Sequence, residues 1–104
     1  MDFKKVYRVM RAVDYNGQRE RELFYTENEE DARNQYQLAK AKVEQFAREN
    51  GLQTFNNGCA NDKYITFFAQ GHTEGRPYTG AKAEFQTEEF CRENFLDFGK
   101  DPIF

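Results

Sequence analysis

The stretch Val6–Thr26, VYRVMRAVDYNGQRERELFYT, decides how the first half of the chain folds. Val6, Tyr7, Val9, Met10 and Val13 are β-favouring or apolar, so a strand is predicted over roughly Lys4–Tyr15. Asn16-Gly17 follows, and both residues tolerate positive φ, which makes this pair the strongest short hairpin signal. A second strand is predicted from Gln18 to about Thr26. A two-residue turn pairs Tyr15 with Gln18, Arg11 with Glu22 and Val9 with Phe24. Opposite charges then meet across the ladder at Arg11 and Glu22, which supports the register. One face of this hairpin carries Arg8, Arg19, Arg21 and Tyr25 with Val6, Met10 and Leu23. The other carries Tyr7, Val9, Val13, Tyr15 and Phe24 and is the better core face.

The next segment, TENEEDARNQYQLAKAKVEQFARENG, has a helical period. Ala32, Tyr36, Ala39, Val43, Phe46 and Ala47 recur at spacings of three and four, which predicts a helix over about Glu29–Asn50. Thr26 or Asn28 is the cap, and Glu29, Glu30 and Asp31 suit the positive helix start. Gly51 suits the left-handed residue that ends a helix. Residues 52–62 are rich in turn formers and read as a connection. KYITFFAQ is then a strand, GHTEGRP a loop, and YTGAKAEF a weaker strand loosened by Gly80. Thr87 caps a short helix in EEFCRENFLDFG, with Phe90, Cys91, Phe95 and Phe98 as its buried side. Gly99 ends it.

The resulting order is ββαββα. It predicts an α+β domain spanning 1–104, with a four-stranded antiparallel sheet and two helices packed on one face. The halves 3–51 and 63–99 have the look of a ββα pseudo-repeat joined by the connection 52–62. YRVMRA at Tyr7–Ala12 parallels YITFFA at Tyr64–Ala69, and Phe-x-Thr-Glu leaves the second strand in both halves. Any strand running into a capped helix produces a similar pattern.

Bulk composition narrows the function classes. The chain has 104 residues, with 11 Phe and 6 Tyr, enough large rigid side chains for a packed interior despite 32% charged residues. Net charge is −3, so no basic excess points to general nucleic-acid affinity. The N-terminal stretch MDFKKVYRVMRAV has no long apolar run after its lysines, and no apolar run approaches 18 residues. No signal peptide or membrane span is expected, and a cytoplasmic location follows as the default. Cys59 and Cys91 are then expected as free thiols.

Cys59, Cys91 and the lone His72 are the candidates for nucleophilic or metal chemistry. Cys59 and His72 flank a predicted strand, which sets them about 26 Å apart at ~3.3 Å per residue. That is far beyond the roughly 3 Å of a nucleophile–base hydrogen bond. The spacing of Cys91 to Phe95 and Phe98 suggests burial. Two cysteines and one histidine fall short of a four-ligand zinc site. GHTEGRP lacks the Lys-Ser/Thr of a P-loop and the repeated glycines of a dinucleotide turn. No cofactor or metal is expected.

The stronger candidate is the hairpin face with Arg8, Arg19, Arg21 and Tyr25. If the helices cover the Tyr7 face, this face is open to solvent and has the composition of a recognition surface. The expected function is a non-catalytic protein-binding module, such as a phage or mobile-element inhibitor or adaptor acting on a larger nucleic-acid-handling protein. The acidic helix starts and tail suit a basic partner. One alternative is a nucleic-acid-binding module that uses the same Arg and Tyr face. Another is a small enzyme using Cys59, His72 or Cys91. KYITFFAQ, read as an edge strand with few charges, offers a route to a homodimer. The tail FGKDPIF, ending in Ile103 and Phe104, is expected to dock on the core or on a second subunit.

Overall fold

A computed structural model describes residues 5–59, 63–73 and 76–99. The first hairpin forms as its sequence dictates. Strands β1 (Tyr7–Tyr15) and β2 (Gln18–Thr26) pair antiparallel, with Tyr15 opposite Gln18, Arg11 opposite Glu22 and Val9 opposite Phe24. Asn16 and Gly17 turn the chain at φ 50° and 83°, the positive values that a type I′ turn requires. Helix α1 then spans Glu29–Asn50. Asn28 Oδ1 accepts from the Asp31 N–H at 2.9 Å, and Thr26 Oγ1 accepts from the Asn28 N–H at 3.0 Å. Gly51 closes the helix at φ 63° and donates to the Ala47 carbonyl.

The second half departs from the expected order. Residues 52–62 are not simply a connection, because Gln53–Cys59 is a strand, β3. It is followed by β4 (Tyr64–Thr73), β5 (Arg76–Thr87) and the short helix α2 (Glu88–Glu93). The sheet therefore has five antiparallel strands rather than four, in the order β2-β1-β5-β4-β3. The turn-rich composition of β3 is overridden by its place beside β4. Phe55 stacks on Phe68 with ring centroids 5.1 Å apart, and the ladder supplies the pairing that Asn56, Asn57 and Gly58 do not favour by themselves. KYITFFAQ is accordingly an interior strand and not an edge. Among the described strands the edges of the sheet are β2 and β3.

GHTEGRP is also mostly strand, since the β4–β5 ladder continues to Thr73 opposite Arg76. Far from being weak, β5 lies at the centre of the sheet, and every residue from Gly80 to Thr87 is buried. Gly80 makes this possible. A Cβ built there would lie 1.8 Å from the Ala69 carbonyl oxygen, so only glycine lets the two backbones approach this closely.

Helix α1 covers the face formed by the odd-numbered residues of β1, β4 and β5. Ala32, Tyr36, Ala39, Val43 and Ala47 pack there with Tyr7, Val9, Val13, Phe67, Ala69, Ala81, Ala83 and Phe85. Alanines on both layers let the helix sit close to the strands. The guanidinium of Arg33 lies over the Phe85 ring and the ammonium of Lys40 over the Phe67 ring, at 4.8 and 5.2 Å from their centroids.

Helix α2 does not join α1 on this face. Its Phe90 packs on Tyr64, ring centroids 5.8 Å apart, and Tyr64 belongs to the opposite face with Gln86. The two helices thus bracket the sheet from opposite sides. Thr87 caps α2 as expected, accepting from the Phe90 N–H at 3.3 Å. The helix stops at Glu93 and does not reach Gly99. Leu96 N–H donates to the Cys91 carbonyl at 2.7 Å and Phe95 N–H to the Arg92 carbonyl at 3.4 Å. This is a Schellman ending with Phe95 in the left-handed slot at φ 56°. The turn throws Phe95 outward to 97% exposure, so it is not part of the buried side that Phe90 and Cys91 form.

Two stability predictions follow from these backbone constraints. Gly80→Ala forces a methyl group into the Ala69 carbonyl, and chemical denaturation should show a loss of about 3 kcal/mol or more. Phe95→Gly relieves a left-handed conformation that costs an L residue about 1 kcal/mol. It should raise stability by roughly that amount, because no packing is lost at an exposed position.

Candidate functional site

The hairpin register sorts the four candidate binding residues onto one face. Arg8 pairs with Tyr25, Ala12 with Arg21 and Asp14 with Arg19, all on the side away from α1. The structure then separates them by depth. Arg19 and Arg21 are exposed and Tyr25 is half-exposed at 52%. Arg8 is buried at 1%. Its Nη1 donates to Glu84 Oε1 at 2.8 Å, and its Nη2 lies 3.4 Å from Met10 Sδ. The expected open arginine face therefore exists on β2 and is closed on β1.

The closure comes from the segment after β5. Phe90 and Cys91 of α2 settle over the far face of β4 and β5. Phe98 meets Tyr25 edge-on at 6.1 Å, and Gly99 N–H donates to Gln86 Oε1 at 3.2 Å. Lys82, Glu84 and Gln86, at alternate positions of β5, are all buried beneath this layer or among their neighbours. Their polar alternation reads in sequence as a solvent-facing side of a strand. It instead marks a polar interior, and the signal that would have revealed it is the long-range partner Arg8.

The other chemical candidates are placed as follows. Cys91 is buried, and burial with the nearby Glu84 carboxylate pushes its thiol above its ordinary range, away from the thiolate that nucleophilic chemistry uses. Tyr64 is raised chiefly by burial, then by Glu84. Tyr7 is raised first by burial and then by Glu29. The backbone of Cys59 pairs with Tyr64 at the start of β4, and His72 is eight residues further along that strand, about 26 Å away at strand rise. The side chains of Cys59 and His72, and the tail beyond Gly99, lie outside the described residues. Among the described residues no three His, Cys, Asp or Glu side chains converge on a metal-sized site, and no helix is long and apolar enough to cross a membrane.

What remains most available is strand β2. No described strand pairs with its outer side. The type I′ turn makes Tyr15 and Gln18 a hydrogen-bonded pair, so along the ladder the even residues of β2 bond inward to β1. The N–H and C=O groups of Arg19, Arg21, Leu23 and Tyr25 consequently point outward along the edge. Half-exposed apolar side chains flank that edge on both faces. Leu23 and Tyr25 lie on one side, and Leu38 of α1 is 59% exposed on the other. Between β2 and α1 runs a groove of about 240 Å³, lined by Glu22, Leu23, Phe24, Leu38, Ala39 and Lys42. A second hollow of about 440 Å³ lies at the hairpin end by Asp14, Arg19 and Arg21.

The charges of β2 are segregated by face. Glu20 and Glu22 point to the α1 side, where Arg11 donates to Glu22 at 2.8 Å and to Glu20 at 3.2 Å, and Lys42 stands 3.6 Å from Glu22. The hydrogen bond that Arg11 donates holds the Glu22 carboxyl below its usual range, and the same bond raises Arg11 in turn. Arg19 and Arg21 point to the other side, where Asp14 lies 3.7 Å from Arg19.

Compared with known proteins, the chain matches no family model, no curated protein and no solved structure.

The buried pair makes a prediction that separates an interior role for Arg8 from a binding role. Arg8→Met or Glu84→Leu alone strands a charge in the interior and should cost about 3 kcal/mol in chemical denaturation. The double variant removes both charges and should recover most of that loss.

Proposed function

We propose that the protein is a non-catalytic binding module that takes a protein partner by strand addition along the open side of β2. In this reading it serves as an adaptor or inhibitor of a larger protein, and Arg19, Arg21 and Tyr25 contribute to the contact while Arg8 holds the fold. The observation that carries the reading is the edge itself. Nine residues of regular strand end in outward-pointing backbone groups, with Leu23, Tyr25 and Leu38 half-exposed beside them. Natural edges are commonly blunted by charged side chains, bulges, prolines or a covering element, because an open one invites pairing, and the charges of β2 stop at Glu22, leaving Leu23–Thr26 uncharged. β2 has no proline, its ladder to β1 is unbroken over nine pairs, and α1 sits mainly over β1 and β5. Main-chain bonds would supply affinity, and the alternating side chains would supply selectivity.

One observation favours a second reading, a nucleic-acid contact. Arg19 and Arg21 stand two residues apart on the same exposed face as Tyr25, a charge-plus-aromatic arrangement that suits a backbone phosphate and a stacked base.

A single substitution tests the first reading. Leu23→Pro deletes an N–H that points away from β1, a position where an edge strand tolerates proline. Capture from a cell extract treated with nuclease should retain a protein on the wild-type chain and lose it on Leu23→Pro, with the thermal transition little changed. Equal capture by both chains would count against strand addition. Recovery that vanishes with nuclease and falls steeply with salt, and that Arg19→Glu with Arg21→Glu abolishes, would favour the nucleic-acid reading instead.

A further inference from the structure

The strand that the β2 edge accepts can be specified further, on the strength of the strand-addition reading. We infer that, when no other strand occupies the edge, a second copy of the same chain does, through a two-fold axis centred on Leu23. Two copies of β2 joined edge to edge would form one continuous ten-stranded antiparallel sheet. A two-fold axis perpendicular to that sheet keeps each face on its own side, so every residue of β2 must meet a residue of the same parity in the second copy. The sign-segregated faces of β2 make this restriction discriminating.

Sliding the axis along the strand tests each register. Centred on Glu20, the pairing sets Glu20 against itself and Arg19 against Arg21. Centred on Arg21, it sets Arg21 against itself and Glu20 against Glu22. Centred on Glu22, it sets that carboxylate against its own copy. Like charges directly opposite one another destabilise a ladder. Centred on Leu23, the seven residues from Glu20 to Thr26 pair with no like charges opposed. Leu23 then meets Leu23, each Arg21 faces the Tyr25 ring of the second copy, and Glu22 lies against Phe24 while Glu20 lies against Thr26. The guanidinium–ring pair occurs twice by symmetry and is favourable. A centre on Phe24 also avoids like charges but keeps only five pairs within the strand. Leu23 is therefore the centre of the longest repulsion-free register.

The surrounding layers leave room for this arrangement. Helix α1 is seated mainly over β1 and β5, so the two helices would stand on either side of the seam. The exposed Leu38 of each copy would border the channel between them. Self-pairing would also conceal the edge until a different strand displaced it.

The experiment uses the full chain with Cys59→Ser. Light scattering over a hundred-fold range of concentration should show a monomer converting to twice its mass. Leu23→Lys, which opposes two ammonium groups at the axis, should shift that conversion to at least tenfold higher concentration. Leu23→Cys should form an intermolecular disulfide under mild oxidation, since a directly opposed pair has Cα atoms about 5.5 Å apart. Glu22→Cys should not. Efficient cross-linking by Glu22→Cys in place of Leu23→Cys would overturn the register. A monomer at every concentration would overturn the second copy as occupant. If Leu23→Pro still abolished capture of a protein in that case, the edge would stand as the binding site with a heterologous strand as its occupant. Loss of neither dimer nor capture in Leu23→Pro would remove both readings.

Discussion

Arg8 and Glu84 face each other across the middle of the sheet at 2.8 Å, with side-chain exposures of 2% and 0%. Two charges withdrawn this far from water are tolerated only if their geometry is met, because each alone is expensive to bury. The pair therefore acts on the pairing of β1 with β5 more than on net stability. A one-residue slip of β1 would carry Arg8 to the alanine-rich face under α1, where no carboxylate lies opposite. Gly80 enforces the neighbouring ladder by a different route, since its missing Cβ is what lets β5 lie against Ala69 of β4. The central three strands are thus held in register by one electrostatic and one steric condition.

With the centre fixed, the two faces of the sheet become unlike. On the α1 face, alanines and aromatic rings interlock and exclude water. On the other face, Lys82, Glu84 and Gln86 form a polar interior that α2 and the turn after it help to close. Cover thins toward β2. Leu23 and Tyr25 are left half in water, with Phe98 alone meeting Tyr25 edge-on among the described ring contacts. The molecule is most finished at its centre and least finished at the strand proposed to bind a partner.

Much of this was legible because it is local. Asn16-Gly17 set the hairpin register, the Ala32-to-Ala47 spacing set α1, and Asn28, Gly51 and Thr87 set their caps, all within a few residues of the structure they control. What was missed depends on distant partners. Gln53–Cys59 is a strand because β4 lies beside it, not because Asn and Gly favour strands. Phe95 resembles a core residue at helical spacing, yet its own left-handed conformation at the end of α2 points it outward. Arg8 looks identical in kind to Arg19 and Arg21, and only a carboxylate 76 positions away distinguishes it. The exposed half of the candidate surface was therefore readable from the hairpin, whereas its buried member was not.

The position of β5 between β1 and β4 also imposes an order on assembly. Tyr7 must find Thr87, and Asp14 must find Gly80, so the central ladder closes loops of some 66 to 80 residues. The β1–β2 hairpin and α1 can form early and cheaply, but the hairpin's inner side has nothing to lean on until the chain has been completed through β5. During that interval Arg8 is hydrated and β1 is itself an edge. Such long-range closure is entropically slow. The chain is accordingly most exposed to the wrong strand before the step that creates the buried pair, and that step ends the exposure.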